Sequence, residues 1–297
     1  MTMTTRPQVT ALMLVRNEDW IFAASLRAAL AWCDNVFVML HNCTDHSGDI
    51  VAEAAYEFGD RITTEIVNTD RDDGWREMDL RQSMFERAKM TYPTTTHFAL
   101  VDADEMLTGN FAEHMPNLLV KLSPGQVLDL PMIVPVGNMG NRRIDRCVWT
   151  TAKISTAFGD GPGLSWSPRG TYQHHARAPR PESAPRVTLC HSDIDGGVHH
   201  CQWLSRARLT AKHALYKMVE VTRYPGRRTV EEIERIFSMA LDTTNREIGP
   251  MPAHWLTGFE SMIAVNQPPT EIIAQCQALL DEHGRDAFAG LNLFGVI

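Results

Sequence analysis

The feature that most constrains this chain is an alternation. Across the first hundred residues, short apolar runs trade places with segments of helical periodicity. Val9–Val15 and residues 35–40, 61–67 and 97–101 read as strands, because each is a brief apolar run. Between them lie three amphipathic stretches. Residues 19–32 carry Ile21, Phe22, Leu26, Ala29 and Leu30, with Asp19 as the expected cap. Residues 49–58 set Ile50, Ala54 and Phe58 on one face, and residues 78–88 set Leu80, Met84, Phe85 and Ala88 on another. Strands that alternate with helices pair in parallel through right-handed crossovers. The expected fold class is therefore α/β, with a mostly parallel central sheet and flanking helices.

In such sheets, ligands sit beyond the carboxyl ends of the strands. The residues that follow each run are then the ones to inspect. They are Arg16-Asn17-Glu18, His41-Asn42-Cys43-Thr44-Asp45, residues 68–73, and Asp102-Ala103-Asp104-Glu105. All four tips are polar and three are rich in acids.

The rest of the chain changes character. Residues 124–185 are rich in Gly, Pro, Trp and Arg and read as short strands and long loops. From Leu204 the pattern is helical, with Leu204, Ala207, Ala211, Leu215 and Met218 in one stripe and Arg206, Lys212 and Lys217 off it. Two further helices are expected at 230–241 and Thr270–His283. The division expected is a catalytic core at 1–203, with halves at 1–110 and 111–203, and a helical C-terminal extension at 204–297.

Composition closes off several classes. The formal net charge is −8, from 28 basic and 36 acidic residues, which argues against a nucleic-acid coat protein. Hydrophobic residues are 44% and charged residues 22%, so disorder is not the main state. No apolar stretch reaches the ~20 residues of a membrane helix. The N-terminus lacks the apolar core of a signal peptide, so the expected location is the cytoplasm. The six cysteines form no Cys-x-x-Cys and read as reduced.

Asp102 and Asp104 carry the chemistry. Carboxylates at i and i+2 share a face of an extended chain and can share one hard cation. Such an ion would neutralise a departing diphosphate. Alone, Asp-x-Asp reads equally as a solvated acidic turn; its place after a fourth strand raises its interest. His199 and His200 follow Gly196-Gly197, and glycine lets backbone approach a ligand closely. Imidazole can complete a mixed manganese site, and spacing does not choose between the two histidines. A rival zinc set of Cys190, His191, His199 and Cys201 has suitable ligands but no common spacing.

The order Val15-Arg16-Asn17-Glu18, Asn42-Cys43-Thr44-Asp45 and Asp102-Ala103-Asp104-Glu105 resembles glycosyltransferase family 2. A later stretch, His199-His200-Cys201-Gln202-Trp203 followed by Arg208, Lys212, Tyr216 and Glu220 to Arg227, is similar to the His-then-helix segment of bacterial members. The resemblance covers roughly residues 9–240 and implies a GT-A-like fold. It implies metal-dependent transfer of a sugar from a nucleotide diphosphate, with uridine diphosphate the expected carrier, to an acceptor hydroxyl with inversion. Mn2+ or Mg2+ is the implied cofactor. Asp102, Ala103 and Asp104 would form the metal and diphosphate motif, joined by His199 or His200, with His199 favoured by the resemblance. Val15, Arg16, Asn17, Glu18, Asn42 and Asp45 would border the nucleoside, and Asp72, Asp73, Arg76 and Arg81 a phosphate or the uridine. Asp45 lacks the family's Gly-Ser, having Cys43 and His46 nearby.

Inversion needs a carboxylate base. The candidates are Asp160, Glu182, Asp193 and Asp195, with the last two favoured because they precede the His pair. Trp166, Tyr172 and His174 suit a sugar acceptor, since aromatic faces pack on sugar rings; a core tryptophan beside a polar loop is the plainer reading. Arg142, Arg143 and Arg146 read as a solvated face. The acceptor stays open among glycan, lipid, small molecule and a hydroxymethylated DNA base. The competing classes are another metal-dependent nucleotidyltransferase and a non-catalytic nucleotide-sugar binding protein.

Overall fold

A computed structural model of the chain describes residues 6–69, 77–166, 177–179 and 185–297. It is a mixed α/β fold. The first half follows the alternation seen in the sequence: β1 (Val9–Val15), α1 (Asp19–Leu30), β2 (Asn35–His41), α2 (Ser47–Phe58), β3 (Ile62–Val67), α3 (Glu77–Thr91) and β4 (His97–Leu100). β1 is VTALMLV and is covered on both faces, which is why it is apolar without a break. After β4 come β5 (Glu105–Leu107), the short helices α4 (Gly109–Ala112) and α5 (Met115–Leu119), then β6 (Val127–Ile133), β7 (Pro135–Val136), β8 (Asn138–Arg143) and β9 (Lys153–Gly159). The chain ends with β10 (Arg186–Thr188), β11 (Val198–His200), α6 (Arg206–Arg223), α7 (Val230–Ser238), β12 (Ile248–Pro250) and α8 (Thr270–His283).

The large sheet has the order β3-β2-β1-β4-β9-β6-β11-β5, with β10 also paired to β6. Its first four strands are parallel. The expected mostly parallel sheet stops there. β9 runs antiparallel to both β4 and β6, and β11 is antiparallel to β5. The sheet is mixed because β6 and β9 are joined by an excursion through β7 and β8 into a second sheet and not by a crossover helix, so β9 returns against β6. Since β9 reverses twice, β6 points the same way as β4, and their carboxyl ends share one edge.

The segment after residue 203 is not only helical. β12 pairs with β8 and β8 with β7 in a second, three-stranded sheet. α6 packs on α8 through Ala211, Leu215, Met218 and Cys276. Lys217, on the polar side of α6 by periodicity, is fully buried; its ammonium donates to Glu234 at 2.9 Å, Ser238 at 3.1 Å and the Asn292 carbonyl at 2.9 Å. Among the described residues, no helix is long and apolar enough to cross a membrane.

The Gly196-Gly197 pair serves the fold. A Cβ on Gly197 would lie 2.3 Å from the Pro131 carbonyl oxygen, and one on Gly196 would lie 2.4 Å from Thr108 Oγ1. The close partners are therefore the chain's own atoms, a backbone carbonyl at Gly197 and a side-chain hydroxyl at Gly196, which lets β11 enter between β5 and β6. Gly197→Ala should lower unfolding stability by about 2–3 kcal/mol through overpacking at this junction. A urea titration checks this, and an unchanged midpoint would contradict it.

Candidate functional site

The strands β1 and β4 are parallel neighbours, but their connections leave to opposite sides of the sheet. This is the switch point at which open α/β sheets leave a crevice. Three loops stand over it, and their own side chains tie them together. Asn17 and Asn42 adopt left-handed backbone with φ of 55° and 49°, a conformation asparagine tolerates better than most residues. Asn17 Oδ1 accepts from the Thr44 amide at 2.7 Å, and Arg208 Nη2 donates to the Asn17 carbonyl at 2.8 Å. Asn42 exchanges bonds with the Thr69 backbone, at 3.1 Å as donor and 2.9 Å as acceptor. Asp45 accepts from the amides of Asp19 at 2.9 Å and Ser47 at 3.0 Å, so it ties the starts of two helices together. The expected Asp19 cap is replaced by this cross-chain one. Val15 is buried at the end of β1. Asn17, Asn42 and Asp45 thus shape the rim with their side chains.

Below the loops lies a dense ion network. The chain turns directly after β4, with the Glu105 amide donating to the Asp102 carbonyl at 3.0 Å. The turn sends Asp102 and Asp104 to different neighbours. Asp102 accepts from Arg81 Nη2 at 3.0 Å and from Arg177 Nη1 at 2.5 Å. Arg177 also grips Glu105 with both terminal nitrogens. His200 Nδ1 stands 3.1 Å from Glu105 and 3.9 Å from Asp104. Lys212 Nζ donates to Glu18 Oε1 at 2.7 Å and lies 3.9 Å from Asp104 Oδ2. Glu18 also accepts from Trp20 Nε1 at 2.6 Å.

The electrostatics follow. Burial alone would raise the Asp102 carboxyl, but Arg177 and then Arg81 hold it well below the usual carboxylate range. Burial would lower Lys212, yet Glu18 first, then Tyr216 and Asp104, hold its ammonium well above normal. Burial also opposes the His200 charge, and Asp104 with Glu105 raise that ring above its ordinary value.

Two chambers open on this network and share Arg16. The smaller, of about 160 Å³, is lined by Glu18, Glu77, Arg81, Asp102, Asp104 and Lys212, with Ala103 and Tyr216 beside them. The larger, of about 580 Å³, runs over the ends of β1, β2 and β3 past Asn42, Thr44 and Thr69 to α8. Arg81 Nη1 is buried and meets no hydrogen-bond acceptor among the described residues.

Other expected residues fall elsewhere. His199 is fully buried with Nε2 3.0 Å from the Trp255 carbonyl, because alternation along β11 turns it away from His200. Of the pair, His200 is the one beside the acids, not the favoured His199. Asp160 follows β9 at the opposite sheet edge and binds Lys89 at 2.8 Å. Asp193 accepts from the Cys190 amide at 2.6 Å, and Asp195 from His254 and Trp255 at 2.8 Å each; both line a third cleft. Trp166 is a core residue, edge-on to Phe85 and Phe158. Asp72, Asp73, Arg76, Tyr172, His174 and Glu182 lie outside the described residues.

The arrangement does not fit the divalent ion that the resemblance implies. Both Asp102 oxygens are taken by guanidinium groups, and the Lys212 ammonium stands between Glu18 and Asp104. Among the described residues, no three His, Cys, Asp or Glu side chains gather as ligands, which covers the zinc set too.

Arg177 and Trp20 were not singled out from the sequence. Arg208, Lys212 and Tyr216 had a signal of their own, polar residues at i, i+4 and i+8 that mark one face of α6.

No family model matches the chain, and no curated protein does. Among solved structures, a mycobacterial protein aligns with 10% identity and a TM-score of 0.28. The alignment covers 44% of this chain and 42% of that one, so the chain spans less than half of that protein's length. A likeness at this level carries no argument about fold or function.

Two outcomes are expected. Arg177→Ala strands Asp102 and Glu105 in a buried setting, and urea melts should show a loss of about 3–5 kcal/mol. His199 has its ring pushed down to about 4, by burial first, from an ordinary 6.5. The unfolded chain takes up that proton first, so this stability is full above 6.5 and is lost as pH falls toward 4, by on the order of 3 kcal/mol. Urea melts across this range should show a smaller acid-side loss in His199→Gln.

Proposed function

We propose that the chain is a glycosyltransferase with a GT-A-like core, which moves a sugar from a nucleotide diphosphate to an acceptor hydroxyl. One observation carries the reading. A buried guanidinium, Arg81, lines a crevice at the β1/β4 switch point that Arg16 and Lys212 also line, and its Nη1 meets no acceptor among the described residues. Arg16, Arg81 and Lys212 line this small chamber together with Glu18, Glu77, Asp102 and Asp104, and the two guanidinium groups are the ones proposed for the diphosphate, since guanidinium groups bind phosphate oxygens in pairs.

The two chambers divide the donor between them. The larger suits the nucleoside, over the loops that Asn17 and Asn42 stitch together. Arg16, common to both, sits where the diphosphate would pass. The sugar then lies in the smaller chamber beside Asp104. As the bond to the diphosphate breaks, negative charge grows on the leaving oxygen. Arg81 and Lys212 are positioned to stabilise it, and fixed cations in a shielded site do so without reorganising. The Asp104 carboxylate accepts no hydrogen bond among the described residues and is the one proposed to take the acceptor proton. Asp193 and Asp195 are already engaged, and Asp160 is at the wrong edge.

In this reading the protein supplies the countercharge itself, and no step passes through a metal ion. A thermal-shift panel of UDP-, GDP-, TDP- and CDP-sugars, each with manganese or with EDTA, tests it. One donor should raise the melting temperature by about 4 °C or more at saturation, in EDTA as well as manganese. Lys212→Ala and Arg16→Ala should abolish the shift. A shift seen only with manganese would overturn the countercharge role, and no shift with any donor would overturn the transferase.

A further inference from the structure

The third cleft lies apart from the two chambers. It has a volume of about 1120 Å³ and lies at the carboxyl end of β6. Its floor is Met132 to Val134. Its walls are the end of β8, the first residue of β9, the 190–195 loop and Trp255. Neighbouring strands lie about 4.8 Å apart, so β6 is roughly 10 Å from β5 across β11.

The charges in this cleft do not balance locally. Arg143 is paired with Asp145, at 2.7 and 2.9 Å. Asp195 is taken by His254 and the Trp255 indole, and Asp193 by the Cys190 amide. These bonds orient the two carboxylates without cancelling their charge, and Arg142, Arg146 and Lys153 have no ion pair among the described residues. Arg142 is half-buried, stacks its guanidinium 4.8 Å from the Trp255 ring centre, and has a buried Nε with no acceptor. Burial alone lowers its pKa, with no acid acting on it. Among the described residues Lys153 donates only to the Thr151 carbonyl, at 3.3 Å. His191 lines the same cleft, and its ring is pushed below its ordinary value by burial first and then by Lys153 and Arg142.

An unpaired, half-buried guanidinium costs stability that an anion would recover. We infer that this cleft is a binding site for a phosphomonoester, held by Arg142, Arg146 and Lys153, with His191 beside them. The four basic side chains of the lining outnumber its three carboxylates by one, three of them have no ion pair among the described residues, and the Arg142 fork matches phosphate geometry. The site stands on its own residues, whether or not the neighbouring chambers take a nucleotide sugar.

The phosphate has two possible sources, a soluble phosphorylated metabolite or a phospholipid headgroup. Calorimetry on the full chain, without any nucleotide, tests both. The soluble probes are inorganic phosphate and glucose 6-phosphate, with acetate as the monoanion control. The membrane probes are phosphatidylcholine vesicles with and without phosphatidic acid. Binding to either phosphate source is expected, weakened about tenfold in Lys153→Gln and in Arg142→Gln, since a bond between charged groups is worth about 1.5–3 kcal/mol. Lys121→Gln, exposed and outside the cleft, should bind as the parent does. Lys153 is partly exposed, so its variant keeps the fold, which melting curves verify. Soluble-only or vesicle-only binding names the source. No binding of any phosphate probe, equal binding of acetate, or equal affinity in both variants would overturn the site.

Discussion

The structure depends on how it keeps charge at the end of β4. Asp102, Glu105, Arg81, Arg177 and His200 come from a strand-end turn, a short strand, a helix, the 177–179 segment and β11. None of these elements is a sequence neighbour of all the others, yet all meet within ion-pair distance. Such a network adds little stability over an apolar core of the same shape. What it does is impose a condition: each charge is tolerable only while its partners stay in place. Helix α3, the turn after β4 and β11 are thereby locked in register, and Asp104 is held at the lip of the crevice.

The parallel half of the fold was legible because both periodicities in it are long and clean. β1 and β2 are unbroken apolar runs, and Thr270–His283 was bounded in the sequence as it is in the structure. The mixed half was not legible. β5, β10 and β11 have three residues each, too short for an alternation to show. The direction of β9 is set by its pairing and by the turn before it, and neither is written in its own residues. Lys217 shows a second limit. Periodicity put it on the polar face of α6, and only the packing of α7 and the C-terminal segment reveals that this face is buried too.

The site divides in the same way. Arg16, Glu18, Asp102 and Asp104 stand at strand ends in the sequence, Arg81 enters through the resemblance, and all five line the smaller chamber. Position in a parallel sheet is a topological property, so it survives errors of detail. The binding roles of Asn17, Asn42, Asp45 and His199 were implied by the resemblance. Their side chains hold loops, helix starts and a core contact. Arg142 is the reverse case. Three arginines in five residues looked like a solvated face, and the stacking partner that half-buries one of them, Trp255, is more than a hundred residues away.

The divergence of Asp102 and Asp104 carries the chemistry. An i, i+2 pair shares a face only while the chain stays extended. Here β4 ends at Leu100, and a hydrogen-bonded turn spans 102–105. One carboxylate therefore turns to two arginines and the other toward Lys212, while both line the crevice. The charge facing the crevice is answered by Lys212, carried on a helix more than a hundred residues later. A lysine on a helix is placed by the packing of that helix, so the α6 and α8 contact through Ala211, Leu215 and Cys276 sets the electrostatics of a site it does not touch. That is a physical reason for the C-terminal segment to be built into the core through β12, since a loosely attached helix would leave Glu18 and Asp104 without their shared cation.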